Sequence, residues 1–216
     1  MGRTPVSLLT IVAHYPTAAS PAALRGRGVL DQFTALGAGN IELRQIGFTV
    51  MTLSNSTLSA IPLTTIDGAS TSLADLGNKV FLVVNVASRC GLAPQYEKLE
   101  ALQRSYGERG FSVLGFPSNQ FLQELSTEDA IKQYCSTTWG VTFPMFEKTK
   151  VNGKNAHPLY AELTKSSDAA GKAGKVKWNF EKFVISRDGA VHRFRPTTQP
   201  DAPEIVSLIE ASLPAS

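Results

Sequence analysis

A chain of 216 residues is long enough for one domain of ordinary size with an appended segment. Hydrophobic residues make up 43% and charged residues 18%, the balance of a soluble globular protein. The net charge of +3 comes from scattered cations, apart from KAGKVK at 172–177, with no aromatic-interleaved basic stripe, which excludes nucleic acid as an expected partner. No run reaches the roughly 18 apolar residues that would cross a bilayer, so no stable membrane association is expected.

Residues 1–50 lack periodicity and are punctuated by Pro5, Pro16, Pro21 and the RGRG and LGAGN stretches. They read as a poorly structured N-terminal extension with no part in catalysis. An upstream start-site artefact is an alternative reading, because MTLSNSTLSAIPLTTIDG from Met51 looks like a natural beginning. A single Arg followed by Pro makes a poor start to an export or transit segment, and Thr10 interrupts the apolar patch from Val6 to Ala13. The main domain is therefore expected over 51–216.

Regular pattern begins near residue 60. Ile61 to Ile66, with Asp67-Gly68 after it, predicts an N-terminal β-hairpin. KVFLVVNV at 79–86 predicts a strand buried on both faces. Tyr96, Leu99, Leu102 and Tyr106 fall at helical spacing, so 95–109 reads as a helix stopped by Gly110. FSVLGF at 111–116 predicts a second buried strand, and STED at 126–129 caps a short helix over 126–135. Residues 180–186 and 191–194 flank Arg187-Asp188-Gly189 as a hairpin, and an amphipathic helix over 203–213 closes the chain. The order predicts an α/β domain with a central mixed sheet flanked by helices, compatible with a thioredoxin-like fold.

Two cysteines, Cys90 and Cys135, are too few for a disulfide scaffold, and His14, His157 and His192 show no ligand-like spacing to them. Such sparse use fits a reducing, cytoplasmic setting with a redox or catalytic role, or one or two plain buried thiols. Cys90 follows the most apolar strand and precedes a helix. Backbone N–H groups at a helix N-terminus favour thiolate over thiol, and Arg89 adds positive charge. Gly91 allows a sharp turn or close approach beside the sulfur. The absence of Cys-x-x-Cys argues against a dithiol oxidoreductase of the thioredoxin kind, and no PxxxTxxC signature of peroxiredoxins precedes Cys90.

Five blocks then appear in order: NVASRCG, GFPSNQF, VTFPMF, VNGKNAHPLY and WNFEKFVI. Together they resemble the glutathione peroxidase family, above all its bacterial, cysteine-containing members, over about residues 58–214. That resemblance implies a thioredoxin-like fold and a catalytic tetrad of Cys90, Gln123, Trp178 and Asn179. Indole and amide N–H groups are suited to donating hydrogen bonds to a thiolate and steering a peroxide. The loop holding Gln123 reads NQFLQELS, one residue shorter than the family pattern and without its Pro-Gly, which leaves Gln120 as a fallback. Ser118 stands where many members carry Cys.

The resemblance further implies a thiol peroxidase that reduces hydrogen peroxide and organic or lipid hydroperoxides through a Cys90 sulfenic acid, in oxidative stress defence. Cys135 matches the resolving Cys of non-selenium members. It sits 45 residues beyond Cys90 on a predicted helix, so a disulfide is expected to need local unfolding of 126–139. No cofactor is expected. Thioredoxin or glutathione would serve as thiol co-substrate. The short 164–177 stretch is unlike the oligomerisation insertion of tetrameric members and implies a monomer with an open site. A peroxide sensor passing its disulfide to a regulatory partner is the alternative reading of the same two cysteines.

Overall fold

The computed structural model describes residues 57–215. The extension expected over 1–50 lies outside the described residues. Strand β3 (Val80–Val86) is the axis of the domain, with all seven residues buried, as its unbroken apolar run requires. It pairs in parallel with β4 (Phe111–Pro117) and antiparallel with β5 (Lys182–Ile185), and β5 pairs antiparallel with β6 (Val191–Phe194). The sheet order β4-β3-β5-β6 is the mixed arrangement expected of a thioredoxin-like fold. The N-terminal hairpin is present in shortened form, with β1 (Leu63–Thr64) against β2 (Ser70–Thr71) as a separate two-stranded sheet.

Alternation along β3 divides the core into two layers. Val80, Leu82, Val84 and Val86 pack with Tyr96, Leu99, Ile131, Ile205 and Ile209 on one face. Phe81 and Val83 pack with Phe116, Phe146, Tyr160 and Phe183 on the other. Each fully buried Val, Leu, Ile or Phe side chain among them stabilises the fold by about 1.5–3 kcal/mol.

Helix α1 (Gln95–Tyr106) is three residues shorter than its periodicity predicted, because Gly107–Arg109 tighten into a 3₁₀ turn before Gly110 ends it at φ 91°. Helix α2 (Glu128–Trp139) is capped by Thr127, not Ser126: its hydroxyl accepts from the Ala130 N–H at 3.2 Å. It runs four residues past Cys135 to Gly140, whose φ of 62° and N–H bonds to the Cys135 and Ser136 carbonyls close the last turn. Helix α3 (Pro158–Leu163) was not expected. It has only six residues, starts on a Pro, and is capped by His157, whose Nδ1 accepts from the Leu159 N–H at 3.1 Å. Helix α4 (Pro203–Ser212) lays Ile205 and Ile209 on the sheet. Among the described residues no helix is long and apolar enough to cross a membrane.

Candidate active site

Cys90 lies in the turn that leaves β3, 5% exposed. The sequence places it at a helix start, but α1 begins five residues later, at Gln95. Between them the chain advances by bonds three residues apart, Ala93 N–H to Cys90 O, Gln95 N–H to Leu92 O and Tyr96 N–H to Ala93 O, all 2.9 Å. The donor that meets the sulfur is the N–H of Leu92, 3.4 Å from Sγ. Gly91 does not play its expected part: its φ is not positive, and a Cβ there would meet nothing within 4 Å. The Arg89 side chain is exposed, and its backbone N–H donates to the carbonyl of Gln123 at 2.8 Å.

That bond brings the 119–125 loop against the cysteine turn. The Gln123 side chain continues the connection, its Oε1 accepting from Asn179 Nδ2 at 2.9 Å. Gln120, the alternative from sequence, points elsewhere. Its Oε1 accepts from the N–H groups of Val151 (2.6 Å) and Asn152 (2.8 Å), and its Nε2 donates to the Asn152 carbonyl at 3.1 Å. Asn152 in turn exchanges two bonds with the backbone of Val176, at 2.8 and 2.9 Å. In the same 119–125 loop Leu122 adopts φ 60° and stands 87% exposed.

Trp178 and Asn179 share one turn but differ in burial. Trp178 is 42% exposed and lies on the Phe121 ring, centroids 5.1 Å apart, whereas Asn179 is fully buried. After them Phe180 has φ 64°, a conformation that bulky L-residues avoid, and its ring meets Tyr96 edge-on at 5.3 Å. The predicted strand over 180–186 therefore starts only at Lys182.

Sequence reasoning passed over two buried groups here. Glu124 accepts at one oxygen, Oε1, from the N–H of Ser88 at 3.0 Å and of Leu125 at 2.7 Å, joining the cysteine turn to the loop before α2. Burial raises its carboxyl pKa above the ordinary value, partly offset by those donors. Lys182 is fully buried, and its Nζ donates to the carbonyls of Phe180 (2.7 Å) and Pro196 (3.2 Å). Desolvation lowers its pKa to about 7. The signal for Lys182 was a lone cation at the head of an apolar strand. Glu181 beside it is held by Arg193 at 2.5 Å and Arg195 at 2.7 Å.

Cys135 points into the core from α2 and is 1% exposed. Burial pushes its thiol up to about 11, with the Glu124 carboxylate adding to the effect and the Tyr96 hydroxyl opposing it. Both cysteines are free thiols in the same hydrophobic layer.

The model of the glutathione peroxidase family matches residues 58–164. The thioredoxin/glutathione peroxidase BtuE of Escherichia coli is 47% identical over 169 residues, spanning 68% of this chain and 92% of that protein. The chain belongs to the glutathione peroxidase family. A hydroperoxy fatty acid reductase of Synechocystis is 46% identical over 166 residues, covering 74% of this chain and 97% of its own. Among solved structures, Trgpx in apo form superposes with a TM-score of 0.57 at 38% identity, over 72% of this chain and 95% of that one. As a member of this family with cysteine as its redox residue, the protein is a thiol peroxidase on a thioredoxin-like fold.

Proposed function

We propose that Cys90 is the peroxidatic nucleophile and that Gln123, Trp178 and Asn179 are the polar groups that receive the hydroperoxide beside it. The observation that carries this reading is the Asn179–Gln123 hydrogen bond at 2.9 Å, made by two residues 56 positions apart, with Gln123 also bonded to the residue before Cys90. The Cys90 sulfur attacks the terminal oxygen of ROOH, the O–O bond breaks, and the alkoxide leaves as ROH on taking up a proton. Cys90 is left as the sulfenic acid. N–H donors around the breaking bond stabilise the charge that develops on the leaving oxygen.

Cys135 then supplies the resolving thiol. Its sulfur attacks the sulfenic acid, water leaves with the thiol proton and the sulfenic oxygen, and a Cys90–Cys135 disulfide forms. With both sulfurs buried, that step proceeds through local opening of α2. Thioredoxin or glutathione, as thiol co-substrate, returns the enzyme to the dithiol without a further cofactor. The name of the E. coli relative supports both reductants, and that of the Synechocystis relative supports fatty acid hydroperoxides beside hydrogen peroxide. Residues 51–216 carry every group in this scheme, which acts as a cytoplasmic monomer in oxidative stress defence.

The test is hydroperoxide turnover with thioredoxin and with glutathione, for the parent, Cys90→Ser and Cys135→Ser. Cys90→Ser is expected to lose turnover with both reductants, and retained activity overturns the assignment. Cys135→Ser is expected to lose the thioredoxin-dependent rate; full retention removes the resolving role.

A further inference from the structure

The geometry points to Asn85 as a positioning residue: from β3 it holds the Trp178–Glu181 turn so that the Asn179 amide stays against Gln123, with Lys182 bracing the same turn from β5. This rests on the reading of Asn179 given above and adds residues to it that touch neither sulfur nor substrate.

Asn85 is the one amide in an otherwise apolar run, and it is fully buried. Between β3 and β5 the ladder is regular from Phe81–Ile185 to Val84–Lys182. At Asn85 it changes. The Asn85 N–H still reaches the Glu181 carbonyl at 3.4 Å, but the Asn85 carbonyl accepts from Phe180 N–H at 2.6 Å, where Phe180 turns away at φ 64°. The side chain spans the same turn. Its Oδ1 accepts from Glu181 N–H at 3.0 Å, and its Nδ2 donates to the Trp178 carbonyl at 3.1 Å. One residue thus makes four hydrogen bonds to the four-residue segment that contains Asn179.

The turn needs such a hold. A left-handed conformation is unfavourable for a non-glycine residue and persists only where the surroundings over-determine it. Phe180 is tied at its N–H by Asn85 and at its carbonyl by Lys182 Nζ, 2.7 Å away, and its ring is packed on Tyr96. Asn179 has little to orient it by itself: the side chain makes one bond, to Gln123, and its buried Oδ1 has no partner among the described residues. The aim of that amide is inherited from the backbone that Asn85 and Lys182 fix.

Asn85→Asp is the informative substitution because it keeps size and shape. One carboxylate oxygen still accepts from Glu181 N–H, but the other faces the Trp178 carbonyl, acceptor against acceptor, in a buried site. Lys182→Met breaks the second brace without adding a charge. Two rates are measured on each variant: oxidation of Cys90 by hydrogen peroxide, which uses the amides, and alkylation of Cys90 by iodoacetamide, which needs only the thiol. Positioning predicts that Asn85→Asp slows oxidation about 10- to 100-fold while alkylation changes less than about threefold. Lys182→Met is expected to show the same split at about 3- to 10-fold. In an Asn179→Ala background both substitutions should cost little more, since their effect passes through Asn179.

Equal loss of oxidation and alkylation overturns the proposal, as does an undiminished effect of Asn85→Asp in the Asn179→Ala background. If Asn85→Asp does not fold, Lys182→Met decides by the same two criteria. An Asn179→Ala variant with the full peroxide rate would instead remove the role given to Asn179, a separate failure that this cycle exposes at its first step.

Discussion

Raising the pH on a chain whose single thiol is Cys135 isolates the cost of burying that sulfur. Cys90→Ser leaves such a chain, since the sequence holds two cysteines. In the folded protein the Cys135 pKa stands at about 11 against an ordinary 9.0. The elevation of about two units corresponds to ~2.7 kcal/mol, and at pH 7 it lowers the thiolate fraction from ~10⁻² to ~10⁻⁴. The raised value means that the folded state holds the proton more tightly. Its contribution to stability is complete below about 9 and is lost as pH rises through about 11. Urea unfolding of Cys90→Ser from pH 8 to 11, compared with Cys90→Ser/Cys135→Ser, should show an extra decline of up to ~2.7 kcal/mol in the chain that keeps the thiol. Alkylation of Cys135 by iodoacetamide should rise about tenfold per pH unit across the same window without levelling off near 9. Parallel unfolding curves together with a plateau near 9 would refute the reasoning, and with it the need for α2 to open before Cys135 reacts.

Leu122→Gly is expected to stabilise the fold by up to about 1 kcal/mol in thermal unfolding, because a φ of 60° is relieved and an 87% exposed side chain gives up little burial. A lower melting temperature would contradict this. Glu124→Gln retains an acceptor for Ser88 and Leu125 but removes the buried charge. The raised carboxyl pKa makes Glu124 most favourable to folding when protonated, so the parent should lose stability relative to the variant as pH climbs above 4.5. Urea midpoints that run parallel between pH 4 and 7 would count against it. Gly115→Ala would place a Cβ 2.5 Å from the Met145 sulfur, in a strand held on one edge by backbone bonds to Pro144 and Phe146 and paired on the other with β3. A loss of about 1–3 kcal/mol in urea unfolding is expected, and a neutral result would mean that Met145 moves aside freely.

Where burial and periodicity act along one segment, the fold was legible before the structure. The apolar run of β3, the α1 spacing and the hairpin around Asp188-Gly189 all form. Elements set by local polar chemistry were harder to read. Helix α3 depends on a His side chain acting as N-cap, and Thr127 displaced Ser126 because only its hydroxyl meets the Ala130 N–H. At the site, the five blocks pointed to Cys90, Gln123, Trp178 and Asn179 as candidates but not to how they are held. Whether Gln120 or Gln123 faces Asn179 depends on how a shortened loop closes, and closure there uses a left-handed Leu that no pattern announces. Asn85 and Glu124 act on partners 93 and 36 residues away, so their work exists only after folding.

The bridge from Gln120 through Asn152 to Val176 couples three loops that are distant in sequence. The N–H groups of Val151, Asn152 and Val176 are all taken by side-chain oxygens along this route, although none belongs to a strand or helix. Their exchange with deuterium should therefore be slow for loop positions, and the three should lose protection together. Together with the Phe121–Trp178 ring contact, these bonds tie the loops on the Trp178 side to one another. On the proposed resolving role of Cys135, amides of its helix should exchange sooner than these three loop amides, so that the two regions respond separately to oxidation.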